Sequence, residues 1–250
     1  MKNIKLSATI ITFNEQENIG RCLQSLIDVA DEIIVVDSYS EDRTEEICQS
    51  HAVKFIQHKF AGHIEQKNYA LDQTSFDYIL SLDADEVLSD QLIKSILEIK
   101  RQWSADAYQF NRLNNFCGKW IKHGLWYPDR KIRIWDKRKG RWGGENPHDK
   151  VEMQASTQVQ HLSGDLLHYT VTDLNSFYVQ LDKFSSIQAK GLKRGGLKPN
   201  FYHFYLKPLY KFILGYIIRL GFLDGREGYQ IAKGQSWSVR ERYRKVASDL

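Results

Sequence analysis

Cysteine is scarce and scattered: Cys22, Cys48 and Cys117 are three in number and far apart. Their spacing excludes a disulfide framework and a cysteine-based zinc site, and points to a reducing compartment. No run approaches the roughly 20 consecutive apolar residues that a spanning helix needs. The opening Met1-Lys2-Asn3-Ile4-Lys5 runs straight into a strand pattern without the apolar region of a signal peptide, so a cytoplasmic protein is expected. No G-x-G-x-x-G follows the first strand, and no Walker A motif or internal repeat occurs. A dinucleotide fold and a P-loop enzyme are thereby set aside.

Negative charge is scarce toward the end of the chain. Residues 1–189 hold 22 Lys/Arg against 27 Asp/Glu, a net −5, whereas residues 190–250 hold 13 against 4, a net +9. Such asymmetry marks a basic segment that meets something anionic.

What is present is an alternation of strands and helices. Leu6 to Thr12, Glu32 to Asp37, Val53 to Gln57 and Tyr78 to Leu82 are β-branched and apolar. Between them, Ile19, Cys22, Leu23, Leu26 and Ile27 recur at helical spacing, Glu41 to Ser50 carries acids in its first turn, and Gln66 to Leu71 reads as helix. Asn14 and Glu17 have capping-box spacing, and Ser89 caps a helix packed through Leu92, Ile93, Ile96 and Leu97. This order predicts an α/β, Rossmann-like doubly wound parallel sheet.

Asp37 and the pair Asp83 and Asp85 fall just past strand ends on one rim, where open α/β sheets bind ligands. Two carboxylates two residues apart can converge on one hard cation, Mg²⁺ or Mn²⁺, with substrate phosphates completing its shell. Residues 106–170 carry strands at Ala107 to Leu113, Lys131 to Trp135 and Gln158 to Leu162, joined by glycine-rich loops. Trp120, Trp126 and Trp142 suit either a core or the C–H faces of a sugar. Glu145, His148 and Asp149 share one loop, and His168, after an apolar stretch, is a further candidate metal ligand.

A helix is expected from Asp173 to about Lys190, followed by a basic glycine loop to Gly196. Phe201 to Phe222 is apolar but interrupted by Lys207, Pro208, Lys211 and Arg219. At 100° per residue, Leu209, Phe212, Ile213, Tyr216, Ile217 and Leu220 form one face, destined either for the rest of the protein or for a membrane interface. The expected domains are 1–190, with a nucleotide-binding half to residue 100 and an acceptor half beyond it, and a basic amphipathic helical tail over 191–250.

Four motifs in order resemble glycosyltransferase family 2: Thr12-Phe13-Asn14-Glu15 with Glu17-Asn18-Ile19; Val35-Val36-Asp37-Ser38 with Ser40, Asp42 and Thr44; Gln66-Lys67-Asn68 with Ala70-Leu71; and Leu82-Asp83-Ala84-Asp85-Glu86. In particular the chain resembles bacterial lipopolysaccharide core glycosyltransferases of the heptose β-1,4-glucosyltransferase branch. It departs from the pattern at Tyr39, where glycine is usual, and at Asp149, where glutamate is usual. The resemblance implies a GT-A fold, a nucleotide-sugar donor such as UDP-glucose, a divalent metal and inversion at the anomeric carbon. It implies that Phe13, Glu15 and Asp37 hold the nucleoside, that Gln66 and Lys67 reach the pyrophosphate side, and that Asp85 ligates the metal with Asp83 and His168 assisting. The base that deprotonates the acceptor hydroxyl is then Asp149 or Glu145. The acceptor implied is lipopolysaccharide core or another lipid-linked glycan, and the enzyme would sit on the inner face of the cytoplasmic membrane, with an anionic membrane surface as a partner and no nucleic acid. Two other readings compete: a haloacid-dehalogenase-type phosphatase using Asp83 and Asp85, and a catalytically inactive, membrane-docked binding module.

Overall fold

A computed structural model describes residues 3–146 and 148–248, with His148 described by its backbone alone. The chain forms two compact units, Met1–Arg112 with Arg130–His168, and Leu113–Asp129 with Tyr169–Leu250.

In the first unit, strands β1 (Leu6–Thr12), β2 (Glu32–Asp37), β3 (Lys54–Gln57) and β4 (Tyr78–Asp83) alternate with helices α1 (Ile19–Leu26), α2 (Thr44–Gln49) and α3 (His63–Asp72). β5 (Glu86–Leu88) and α4 (Asp90–Arg101) follow, then β6 (Ala107–Phe116). After β7 (Lys119–Trp120), which belongs to the second unit, come β8 (Asp129–Asp136), β9 (Gly140–Glu145), β10 (His148–Met153) and β11 (Val159–Val171). The sheet order is β3-β2-β1-β4-β8-β6-β11-β5. The β3 to β4 half is parallel, whereas β8 runs antiparallel to β4 and β5 antiparallel to β11. The sheet is therefore mixed, a pattern common in large α/β sheets with helices on their faces.

Registration explains the shared rim. Thr12 stands opposite Asp37, and Ile11 opposite Asp83, so three strands end within one residue of the same level. The inner residues of the β1, β2 and β4 runs are fully buried: Ala8, Ile10, Val35 and Leu80 are all 0% exposed. Against them lies α1 through Ile19, Cys22, Leu23 and Leu26, with α4 contributing Leu92 and Ile96. Burial of each such side chain is worth about 1.5–3 kcal/mol. Cys22 is core, as its helical spacing predicts.

Two local expectations are corrected. Asn14 does not cap α1: the helix starts at Ile19, and Asn14 instead sits at φ 54°. Asparagine tolerates that left-handed backbone because its short amide bonds locally, here accepting the Glu41 N–H at 2.9 Å. Glu145 and Asp149 are not in a loop but on a β-hairpin, β9 with β10, in which Asp149 stands opposite Gly144. The glycine-rich sequence of β9 hides a strand because it has no apolar alternation. Ser89 caps α4 as expected, its Oγ accepting the Leu92 N–H.

The second unit is largely helical. Asp173 caps α5 (Leu174–Arg194), its carboxylate accepting the N–H groups of Asn175 and Ser176. The basic glycine stretch thus largely continues a helix. Then come α6 (Lys207–Ile213), flanked by π-helical turns over Tyr202–Leu206 and Leu214–Ile218, and α7 (Gly225–Ala247). Phe116, Ile121, Val171, Phe177 and Ile231 form this unit's core, with Phe116 edge-on to Phe177 at 5.0 Å. α7 rests on α5 through Gly234, where a Cβ would lie 2.4 Å from the Phe177 ring. It rests on the chain after α6 through Gly228, where a Cβ would lie 1.9 Å from the Gly221 carbonyl oxygen. Asp224, 4% exposed, accepts the N–H groups of Lys122 and His123 and fixes the turn between. No helix among the described residues is long and apolar enough to cross a membrane.

Candidate functional site

The loops after β1 and β2 are laced together by their own polar side chains. Asn14 donates its N–H to Ser40 Oγ, Glu15 to Thr44 Oγ1 and Gln16 to an Asp42 carboxylate oxygen, at 2.8, 2.8 and 3.1 Å. Asp37 lies beneath this seam, 0% exposed, accepting the Ser40 N–H and hydroxyl. Gln66 on α3 is equally buried and donates to Ser38 Oγ and the His58 carbonyl. The two side chains brace the Ser38–Ser40 turn from behind and do not line the cavity in front of it.

That cavity, about 760 Å³, is lined by strand-end and loop residues of the first unit. Its size suits a small-molecule ligand. At one side stand Phe13 and Tyr39, with 56% and 54% of their surface exposed. Tyr39 holds φ 63°, the left-handed region that costs an ordinary residue about 1–2 kcal/mol. The turn geometry that glycine usually supplies is therefore kept, with an aromatic ring projecting from it. Glu15 also lines the cavity; burial pushes its carboxyl above the ordinary glutamate range, and Asp85 and Asp42 add to the push against a hydrogen bond from Asn18.

The far side is a charge network. Lys67, 4% exposed, bridges Asp83 at 2.8 Å and Asp149 at 2.7 Å, and its ammonium lies 4.3 Å from the Trp142 ring centroid. Arg133 of β8 donates to Asp83 at 2.9 Å and to the fully buried Glu86 at 2.6 Å. Buried ions persist only when paired in this way. Burial works to raise the Asp83 carboxyl, but Lys67 and Arg133 outweigh it and hold Asp83 well below the usual range. Asp83 thus has its oxygens occupied by two cations.

Asp85 is placed differently. Its carboxylate meets His168 Nε2 at 3.1 Å, because β11 pairs with β5 so that His168 stands opposite Glu86. Among the described residues no three ligating side chains converge on one point. Even so, Asp85 and His168 offer one oxygen and one nitrogen at the spacing of adjacent donors around a cation with ligands near 2.1 Å, roughly 3 Å apart. These two residues fit a divalent cation whose remaining positions a diphosphate and water would fill.

The structure therefore gathers Phe13, Glu15, Lys67, Asp83, Asp85, Asp149 and His168 around one cavity. Glu145 stands on the exposed end of β9 and does not line it. Trp142 is core, 6% exposed and edge-on to Trp135, and Trp126 packs on Phe116 and Phe177. Trp120 meets Tyr169 edge-on in the second unit. Sequence reasoning missed Arg133 and three residues that line the cavity, Lys59, Phe60 and His63. Arg133 did carry a signal, a cation set between Ile132 and Ile134 in the apolar half of its strand, since arginine is almost never buried unpaired.

The model of glycosyl transferase family 2 matches residues 7–162. An uncharacterized glycosyltransferase of Rickettsia typhi is 30% identical over 236 residues, covering 90% of this chain and 80% of the relative. The lipopolysaccharide core biosynthesis glycosyltransferase LpsC of Rhizobium meliloti is 27% identical over 230 residues, covering 89% of this chain and 82% of the relative. Among solved structures, S. aureus TarS 1–349 in complex with UDP superposes with a TM-score of 0.50 at 16% identity, covering 96% of this chain and 91% of that 1–349 chain. The fold is a mixed α/β sheet of GT-A type with C-terminal helices, and the phosphatase reading of Asp83 and Asp85 falls away. From the strand-end acids, the cavity they face and the span of the family match, the chain belongs to glycosyl transferase family 2.

Proposed function

We propose that this chain transfers a hexose from a UDP-sugar to a hydroxyl of a lipopolysaccharide-core or other lipid-linked glycan, with inversion at the anomeric carbon. The observation that carries it is the Asp83-Ala84-Asp85 turn at the carboxyl end of β4, inside one cavity with Lys67, Asp149 and His168. Family membership supports the reaction type. The UDP bound to TarS and the lipopolysaccharide-core role in the name of LpsC support the donor nucleotide and the acceptor class.

In this reading Phe13 and Tyr39 flank the nucleobase, and Asp37 and Gln66 serve it by bracing the turn that carries Tyr39. Glu15 faces the ribose side, and Lys67 faces the diphosphate. Asp85 and His168 hold a divalent cation, Mg²⁺ or Mn²⁺, which when bound supplies positive charge to the leaving diphosphate. The acceptor oxygen attacks the anomeric carbon, the bond from that carbon to the diphosphate oxygen breaks, and the hydroxyl proton passes to a carboxylate base. Asp149 is that base: it lines the cavity, whereas Glu145 stands outside it. Lys67, shared between Asp83 and Asp149, would turn to the incoming diphosphate and leave the Asp149 carboxylate more basic.

The test is a donor screen for release of nucleoside diphosphate by the purified chain, with added Mg²⁺ or Mn²⁺ and with chelator. Chelator-sensitive release from a UDP-hexose that Asp85→Asn abolishes, with the fold retained by circular dichroism, is the expected result. Full activity of Asp85→Asn, or full activity in excess chelator, would overturn the metal assignment. Turnover confined to a non-uridine donor would overturn the donor.

A further inference from the structure

The helix between Tyr202 and Ile218 is turned inside out. At α-helical spacing its six apolar residues share one face, but the π-helical turns at each end of α6 close on the fifth residue and break the 3.6 period. Phe212 and Tyr216 consequently swing onto Tyr229 of α7, at 6.0 and 5.7 Å between ring centroids. Leu209, Ile213, Ile217 and Leu220 are left exposed, joined by Tyr205 and Tyr210. Leu209 is 53% exposed and Ile218 59%, while the residues this stretch buries are Pro208 and Gly215. A helix that buries glycine and proline while showing water its leucines, isoleucines and tyrosines reverses the usual partition. The exposed stripe continues past the helix through Phe222 and Leu223, and contiguous patches of this kind mark an interaction surface.

The element is well anchored behind this face. Ser236 donates to the Pro208 carbonyl, Lys207 donates to the Tyr243 hydroxyl, and the Gly124 N–H donates to the Arg219 carbonyl, at 2.8, 2.9 and 2.8 Å. Its exposure is therefore a feature of the folded unit.

We propose that this face is a docking surface for a lipid bilayer rich in anionic headgroups, on which the helix lies in the interfacial plane. Three observations select a bilayer over a second copy of the chain. Residues 190–250 carry a net +9, which complements anionic lipid and opposes a symmetric contact between like-charged copies. Exposed cations flank the apolar stripe in sequence, Lys198 before it and Arg219 and Arg226 toward its end. The stripe mixes tyrosines with aliphatic residues, the composition that suits the boundary between headgroups and acyl chains. The inference is independent of the donor and acceptor proposed above, because nothing in it uses the cavity.

The experiment is co-sedimentation of the full chain with phosphatidylcholine vesicles, with and without phosphatidylglycerol, over a range of salt, paired with sedimentation-velocity measurement of oligomeric state. Binding should require the anionic lipid and fall as salt rises. Lys198→Gln, Arg219→Gln and Arg226→Gln should each weaken partitioning roughly fivefold. Leu209→Ser with Ile217→Ser should weaken it about tenfold or more. All five positions are solvent-facing, so unchanged thermal unfolding should accompany each loss. Absence of binding to anionic vesicles at low salt would overturn the proposal. So would a concentration-dependent dimer that the double serine variant dissolves, since the face would then belong to a second copy.

Discussion

Two regions of this protein break the ordinary partition of polar and apolar groups, in opposite directions. At the strand ends of the first unit, Lys67, Arg133 and Glu86 are buried at 4%, 3% and 0% exposure. On the helix around α6, leucine, isoleucine and tyrosine stand in water. The buried charges are matched from within, each cation against two carboxylates. The exposed apolar groups have no such answer within their own unit. Buried charge can be compensated by neighbours a few ångströms away, whereas an apolar face needs a surface. The charges of the first region are consequently paired within the fold, whereas the apolar face of the second has its match only in a partner.

The comparison can be broken or sharpened by substitution. The largest effect should come from Asp149→Asn, which should lower turnover about 10²–10⁴-fold while leaving donor KM near its original value. Glu145→Gln should change turnover less than about twofold if Asp149 is the base; steady-state kinetics on both variants decides, and normal turnover by Asp149→Asn would move the base elsewhere. Next, Arg133→Met would leave the fully buried Glu86 with Arg112 alone, at 3.5 Å, and the half-buried Asp83 with Lys67 alone. Urea unfolding should then register a loss of about 3–5 kcal/mol, and a loss below about 1 kcal/mol would mean that the strand-end charges are not held by one another. Smaller, and aimed at the contrast itself, Leu92→Ala on α4 should cost about 2–5 kcal/mol. Leu209→Ser on α6 should fall within about 0.5 kcal/mol of the parent protein. Equal costs at the two leucines would show that the α6 face is sealed in solution.

Legibility in the sequence followed the same divide. β1 and β2 were readable to the residue and β4 within one, because runs such as Ile33-Ile34-Val35-Val36 have no other stable home than a covered sheet. β9 and β5 were not: Gly140-Arg141-Trp142-Gly143-Gly144-Glu145 shows no alternation, and Glu86-Val87-Leu88 is too short to show any. Asp83, Asp85 and Lys67 were legible from local motifs. Arg133 reaches Asp83 from 50 positions away, so its role emerges only once β8 is laid beside β4. The apolar face of the tail helix was legible in part, but periodicity identifies a face without saying what it faces. The two π-helical turns then redistributed that face in a way no 100° projection anticipates.

The contact between Gly228 and the Gly221 carbonyl, and between Gly221 and that of Gly215, where a Cβ would lie 2.6 Å away, has a consequence for how this protein can change. These joints are made by main chain against main chain, so the outward side chains of the neighbouring helix contribute little to holding it in place. Its solvent-facing positions are therefore free to vary with whatever they touch, without renegotiating the fold. A saturation library over those positions, sorted first for folding and then for vesicle binding, should pass the first sort broadly and the second narrowly. Gly221 and Gly228 should show the reverse, admitting almost no substitution at the folding step.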